Sequence, residues 1–319
     1  MTRALYIQIA AAILLGFAFA AIAWQGGSGT QYFMMVLMIW SIFAIGFDLV
    51  FGVLGRLSFG HAAFFGTGAY TFSLLMMKGG WPFAPALAAA IVVGAALAAL
   101  FAAVAGRTRG VYLGLITLGL AQLVSITFEF KLRSLTNGTD GISGVPRPEL
   151  AGIDFYDNQM FSLLIAVVFV LVLVGAAILR SSPYGRVLAA IRQNEVRAGQ
   201  LGYDVKRYAI SAFAISGAVS ALAGALLTSL MMYVGPELTR WTASGDVVIM
   251  AALGGRGTLF GPIIGVLAFE WLKDILSPYT VHWYGLLGAI FIIMTIAAPA
   301  GIIGIATAAI ARLRRKLRP

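Results

Sequence analysis

The feature that most restricts the fold of this chain is a series of apolar runs, each about 20 residues long, recurring from one end to the other. They fall near 5–24, 33–53, 58–77, 84–105, 111–129, 160–179, 208–233 and 283–303. A run of that length crosses the hydrocarbon core of a bilayer as a helix, because lipid offers backbone N–H and C=O groups no partner outside their own segment. Composition agrees. Of 319 residues, 61% are hydrophobic and 11% are charged, against about 25% charged in a soluble domain. Region 244–276 holds two shorter apolar stretches, 247–254 and 262–272, divided by Gly254-Gly255-Arg256-Gly257. They read as short or broken spans. The expectation is an all-α polytopic membrane protein, a single transmembrane domain over 1–319 with about ten crossings.

Charge sets the orientation. A formal net charge of +10 would suggest nucleic acid in a soluble chain, but here it follows the loops. With both termini cytoplasmic, the inside segments hold 16 of the 22 Lys and Arg: Arg3, Arg56, Arg107, Arg109, six in 180–207, Arg256, and five in the tail 306–319. Outside lie Lys78, Lys131, Arg133, Arg147 and Arg240, with Lys273 inside a span. That bias is the positive-inside pattern, and the tail suits an anionic cytoplasmic leaflet. The first span is read as retained, since its run exceeds the 7–15 residues of a signal-peptide core. No Cys is present, so disulfides are excluded.

Two segments break the apolar pattern. The insert 180–207 reads RSSPYGRVLAAIRQNEVRAGQLGYDVKR. Ser182-Pro183 is a helix-start signature, and Gly199 and Gly202 supply the stop. Leu188, Ile191, Ala198 and Leu201 recur at helical spacing with Glu195 on the same stripe, so a short cytoplasmic docking helix is expected. The long outer, periplasmic loop 130–159 carries Asn-Gly, Asp-Gly and two prolines, which mark turns; its length suggests a lid or docking surface. Asn137-Gly138-Thr139 also fits a glycosylation sequon. A weak internal repeat links Ser58-Phe59-Gly60 to Leu259-Phe260-Gly261. It suggests two four-span units in parallel orientation with two spans between them.

Polar chemistry inside the spans is sparse. Gly257, Gly261 and Gly265 make two overlapping GxxxG steps and Gly110–Gly114 a third, a pattern for close helix packing. Breaks at Gly55–Gly60 (with Ser58) and Gly254–Pro262 (with Gly255, Gly257 and Gly261) offer helix N-termini to an anionic group such as a carboxylate. Asp48 and His61 lie at membrane depth and join those breaks as candidates for the translocation path. Glu270, Lys273 and Asp274 cluster on one span, where a local ion pair is the simpler reading. There is no GxxxxGK[ST] phosphate loop, no HExxH or paired-His metal spacing and no GxSxG nucleophile turn. The chain reads as a conduit, with no catalytic residue, cofactor site or metal site.

The run 52–70, GVLGRLSFGHAAFFGTGAY, resembles the glycine-rich signature of the permease subunits of branched-chain amino-acid ABC importers. NGTDGISGVP at 137–146, IRQNEVRAGQLGYDVKRY at 191–208 and ALGGRGTLFGPIIG at 252–265 agree, in the family's order and across most of the chain. The resemblance implies that 180–207 is a coupling loop docking on an ATPase subunit. Its residues would be Arg192, Glu195, Ala198 and Gly202, the last three matching E-x-x-A-x-x-x-G, with Arg197 where the shorter motif of many importers has a small residue. Length and loop wording are most similar to the longer, M-type subunit. The implied partners are a shorter H-type permease, two ATPase subunits that use ATP and Mg, a periplasmic or lipid-anchored binding protein meeting Asn137, Asp140 and Gly141, and membrane lipid, with no nucleic acid. The implied location is a bacterial or archaeal cytoplasmic membrane. The rival reading is an ion-coupled secondary amino-acid transporter in which Asp48 or Glu270 titrates.

Overall fold

The computed structural model describes residues 3–106, 108–150, 153–298, 300–305 and 307. Arg107 and, Thr307 apart, the basic tail 306–319 lie outside the described residues. Among the described residues, seven helices are long and apolar enough to cross a membrane. They are α1 (Arg3–Gln25), α2 (Ser28–Asp48, running on as a π-helix through Leu54), α4 (Phe83–Ala105), α5 (Val111–Ile126, with a π-turn to Lys131), α7 (Asn158–Ser181), α10 (Val205–Met231) and the span Trp283–Ile305 that begins as α13 (Trp283–Ala297). Three shorter helices complete the bundle: α3 (His61–Met77), α11 (Trp241–Gly254) and α12 (Gly261–Leu276). The chain is an all-α polytopic membrane protein, and region 244–276 is indeed two short helices parted at the glycine-rich turn.

Helix α2 is the hub. From Met35 to Asp48 nearly every residue is buried, as expected for a helix apolar on all sides. Helix α10 packs along α4, α3 and α2; α1 lies on α7 and α2; α12 pairs with α11 and touches α2; and α13 sits outermost against α11 and α12. Outer helices present apolar side chains such as Leu14, Phe17, Val104 and Leu171 to the surroundings. Lipid is as apolar as these side chains, so close approach rather than burial holds such helices together. At Gly265 a Cβ would overlap the Met250 carbonyl oxygen, and at Gly261 that of Gly255. The Gly261–Gly265 step therefore seats α12 on α11. The other two steps do not pack this way. Gly257 belongs to the turn, with φ +77°, and Gly110 caps α5, while a Cβ on Gly114 would make ordinary contact with Phe59.

Contacts sort the connections into two ends. At one end Arg109 meets Glu195, Arg180 meets Asp48, and the Gly257 N–H also reaches Asp48. At the other, Lys78 Nζ donates to the Ser134 and Leu135 carbonyls, and Gln159 Nε2 to that of Trp24. Strand β1 (Ile142–Ser143) there pairs antiparallel with β4 (Tyr233–Val234), in the register Ile142↔Val234. Two further two-residue strands, β2 (Glu149–Leu150) and β3 (Ile153–Asp154), form a hairpin. The loop 130–159 is thus built, with a short helix α6 (Arg133–Thr136) besides the turns expected of it.

Irregular backbone enters the bundle from both ends, and α5 measures how far. The Phe59 N–H donates to Thr117 Oγ1 (3.1 Å), and Ser125 Oγ and Thr239 Oγ1 share a hydrogen bond (3.0 Å) while Thr239 donates to the Pro236 carbonyl (2.7 Å). Thr117 lies six residues from one end of α5 and Ser125 six from the end of its π-turn, about 9 Å at 1.5 Å per residue. Ser58 and Thr239 are fully buried. Non-helical backbone persists at that depth only where protein satisfies it, and here side-chain hydroxyls do so.

Candidate functional site

The charged end carries the insert as two helices rather than one. Ser182 accepts the Gly185 N–H and Pro183 opens α8 (Pro183–Gln193), as its signature predicts. The helix then breaks at Asn194, which is extended (φ −161°, ψ 103°) and caps α9 (Glu195–Gln200) by accepting the Arg197 N–H. An Asn side chain that bonds nearby backbone competes with helix continuation, which explains the break. Leu188, Ile191 and Ala198 are buried, but Leu201 turns outward at 71% exposure, beside exposed Val196 and Tyr203. Gly202 follows with φ +89°.

Glu195 ties the insert to two other loops. Its Oε1 accepts from Arg56 Nη2 (2.9 Å) and Nε (3.3 Å), and its Oε2 pairs with Arg109 Nε (2.7 Å). Arg56 is nearly buried while Arg109 is largely exposed, so the first pair carries more energy. Arg192 Nη1 donates to the Gly52 carbonyl at the end of α2. On the flank, Tyr184 and Ser211 share a 2.7 Å hydrogen bond, and burial pushes the Tyr184 hydroxyl pKa up. The insert is therefore joined to the α2–α3 loop, the α4–α5 loop and the start of α10.

Asp48 forms the second knot. Its Oδ2 pairs with Arg180 Nη2 (2.8 Å) and its Oδ1 accepts the Gly257 N–H (2.9 Å), with the side chain wholly buried. Its own helix holds no cation nearby; the partner comes from the end of α7. A Cβ on Gly52 would overlap this carboxylate, so a glycine one turn along lets it sit there. The break at 254–260 is thereby held by an acid of the chain itself. Gly255 terminates α11 with φ +117°, much as Gly55 terminates α2 with φ +82°.

Three further donors at the two helix breaks are also occupied. Gly60 N–H donates to Ser58 Oγ (3.1 Å), Ala62 N–H to Ser244 Oγ (2.8 Å), and Gly261 N–H to Thr258 Oγ1 (3.0 Å). Each break thus holds a Ser or Thr whose hydroxyl accepts a nearby glycine N–H. His61 is buried, edge-on to Phe47 and Phe64. Ser216 Oγ donates its one proton to the Gly46 carbonyl (2.6 Å), which leaves His61 Nε2 to donate to Ser216 (2.9 Å).

At the opposite end, Asn137 takes a left-handed conformation (φ 58°) and Gly141 packs on Val234 and Tyr233. Tyr233 Oη donates to the Asp140 carbonyl (3.3 Å). Arg147 folds the loop inward, donating to the Phe155 and Tyr156 carbonyls and to Asn158 Oδ1, with its guanidinium 4.8 Å from the Phe161 ring. Sequence reasoning passed over Arg56, Arg109, Arg180, Ser216, Ser244 and Thr117 as site residues. Their partners stand on other segments, so no local spacing signals them.

Residues 29–295 match the family described as branched-chain amino acid transport system, permease component. The high-affinity branched-chain amino acid transport system permease protein LivM of Escherichia coli (strain K12) is 29% identical, over 89% of this chain and 72% of the relative. The corresponding LivH protein of the same strain is 27% identical, over 83% of this chain and 91% of its own length. A probable LivM of Methanocaldococcus jannaschii is 26% identical, over 68% of this chain and 67% of the relative. No solved structure gives a significant match.

Proposed function

We propose, from the premise that this chain belongs to the permease-component family of branched-chain amino acid transport systems, that it is the longer permease subunit of an ATP-driven importer for branched-chain amino acids. It pairs with a second, H-type permease to enclose the path in a bacterial inner membrane. ATP and Mg are used by two separate ATPase subunits, and a binding protein delivers solute to the outer loop around Asn137, Asp140 and Gly141. The observation that carries this reading is the linkage at the charged end. The segment 181–204 presents Val196, Leu201 and Tyr203 outward and is tied inward to three other segments through Glu195, Arg192 and Tyr184.

A push on α9 from an ATPase cleft reaches the end of α2 through Arg56 and Arg192, and the start of α10 through α8. Those helices move as rods, so displacement at one end becomes rocking of the bundle. Glu195 acts in this reading as the pin between lever and body, with the apolar face of α9 as the contact. The same geometry commits Asp48 to Arg180 and Gly257, an arrangement that suits a structural knot rather than a travelling proton.

The test is Leu201→Glu combined with Val196→Glu in cells that depend on this chain for leucine uptake. Uptake should fall at least about tenfold, because burying two carboxylates at an apolar contact costs more than about 1.4 kcal/mol, while membrane levels of the chain stay unchanged. Full uptake by that variant, or gradient-driven transport by the purified chain alone, overturns the proposal.

A further inference from the structure

Near the outer end, a cavity of about 530 Å³ opens between α2, α12 and the end of α10, reaching the segment 232–240 at buried Leu238. Along α2 it runs from Gly29 to Trp40, eleven residues or about 16 Å of depth. Its chemistry is divided. One wall is apolar and aromatic, from Phe33, Val36, Trp40 and Leu227; the other is the face of α12 bearing Glu270, Lys273 and Asp274.

Glu270 is the unusual member. It is 5% exposed, and its Oε2 accepts from Lys273 Nζ at 3.0 Å, but its Oε1 is buried with no hydrogen-bond partner among the described residues. An unpaired buried carboxylate oxygen is costly, and a ligand donor removes that cost. Lys273 is partly exposed and spends one of three N–H donors on Glu270, leaving two. Asp246 of α11 lies within electrostatic range of both, so acids outnumber the one cation here.

We infer that this cavity is a binding site for a zwitterionic α-amino acid with an aliphatic side chain. The ammonium donates to the Glu270 carboxylate, the ligand carboxylate accepts from Lys273 Nζ, and the side chain lies against Phe33, Val36 and Trp40. The inference rests on the permease reading above and deepens it, placing a site for solute within this subunit. A carboxylate alone meets Glu270 and the surplus acids and is disfavoured. An amine alone satisfies Glu270 but leaves the Lys273 donors unused.

The experiment is equilibrium binding of tritiated L-leucine to the full chain in lipid nanodiscs, with isoamylamine and 4-methylpentanoate as competitors. Leucine should bind saturably, isoamylamine should need about tenfold more to compete, and 4-methylpentanoate should not compete, since a charge-assisted hydrogen bond is worth about tenfold or more. Glu270→Gln should weaken leucine at least about tenfold, and Lys273→Met should erase the preference for leucine over isoamylamine. The competitor order in the unaltered chain decides the matter even where a variant folds poorly. Absence of saturable leucine binding, equal competition by all three compounds, or binding unchanged in well-folded forms of both variants overturns the site. Chain-dependent leucine uptake alongside any of those results retires the cavity alone. Loss of all chain-dependent branched-chain uptake retires the permease reading instead.

Discussion

At Asp48 a single carboxylate joins three segments, and the energetics of buried charge make the consequence specific. Asp48 is fully buried and Arg180 nearly so. Removing one partner of such a pair costs about 3–5 kcal/mol, because the other charge is left uncompensated. Asp48→Asn and Arg180→Gln should each lower the melting temperature of the solubilised chain strongly. Their combination should cost at least about 1 kcal/mol less than the sum of the two, and strict additivity would refute the pairing. Glu195 is a milder case. Glu195→Gln and Arg56→Ala should both speed amide hydrogen exchange over 195–200. Arg109→Ala should change it little, since an exposed pair is worth about 0–1 kcal/mol.

Between helices, the decisive contacts are made by absent side chains. Gly265 and Gly261 let α12 lie directly on the backbone of α11. Both helices are short, 14 and 16 residues, so this seam is much of what holds the two to each other. Gly265→Ala should reduce the folded fraction recovered from membranes several-fold. Gly119→Ala, on a face of α5 where an added Cβ meets nothing within 4 Å, should be tolerated and gain a few tenths of a kcal/mol of helix propensity. Equal behaviour of the two variants would show that the α11–α12 seam does not matter. The insert teaches the complementary lesson. Its helical stripe is legible from Leu188 to Ala198, but the break at Asn194 turns Leu201 outward, because cap geometry outweighs continued periodicity once Asn194 bonds the Arg197 N–H.

For the whole molecule, the proposed orientation puts the insert 180–207 in the cytoplasm and the loop 130–159 outside. With no native Cys, single-cysteine labelling tests this on a clean background. Cysteine at Val196 should react with an impermeant maleimide only after the cytoplasmic face is opened. Cysteine at Thr139 should react from the outside in intact cells. Reversed accessibility at either position would overturn the orientation, and with it the contact between α9 and an ATPase.

Much of the architecture was written in local pattern. Apolar runs of membrane length dictate helices because lipid leaves the backbone no other partner, and Ser182-Pro183 marks a helix start because both residues suit one. The apolar helices of membrane length and the glycine-rich division at 254–257 followed from that alone. What tertiary structure decided is which distant groups meet. Asp48 finds Arg180 from 132 positions away and Gly257 from 209; Arg56 finds Glu195 across 139; the cavity beside Glu270 exists only where α2, α10 and α12 converge. Periodicity reports which face of a helix is apolar, but it carries no record of the helix that will lie against it, and buried charge is settled by that neighbour.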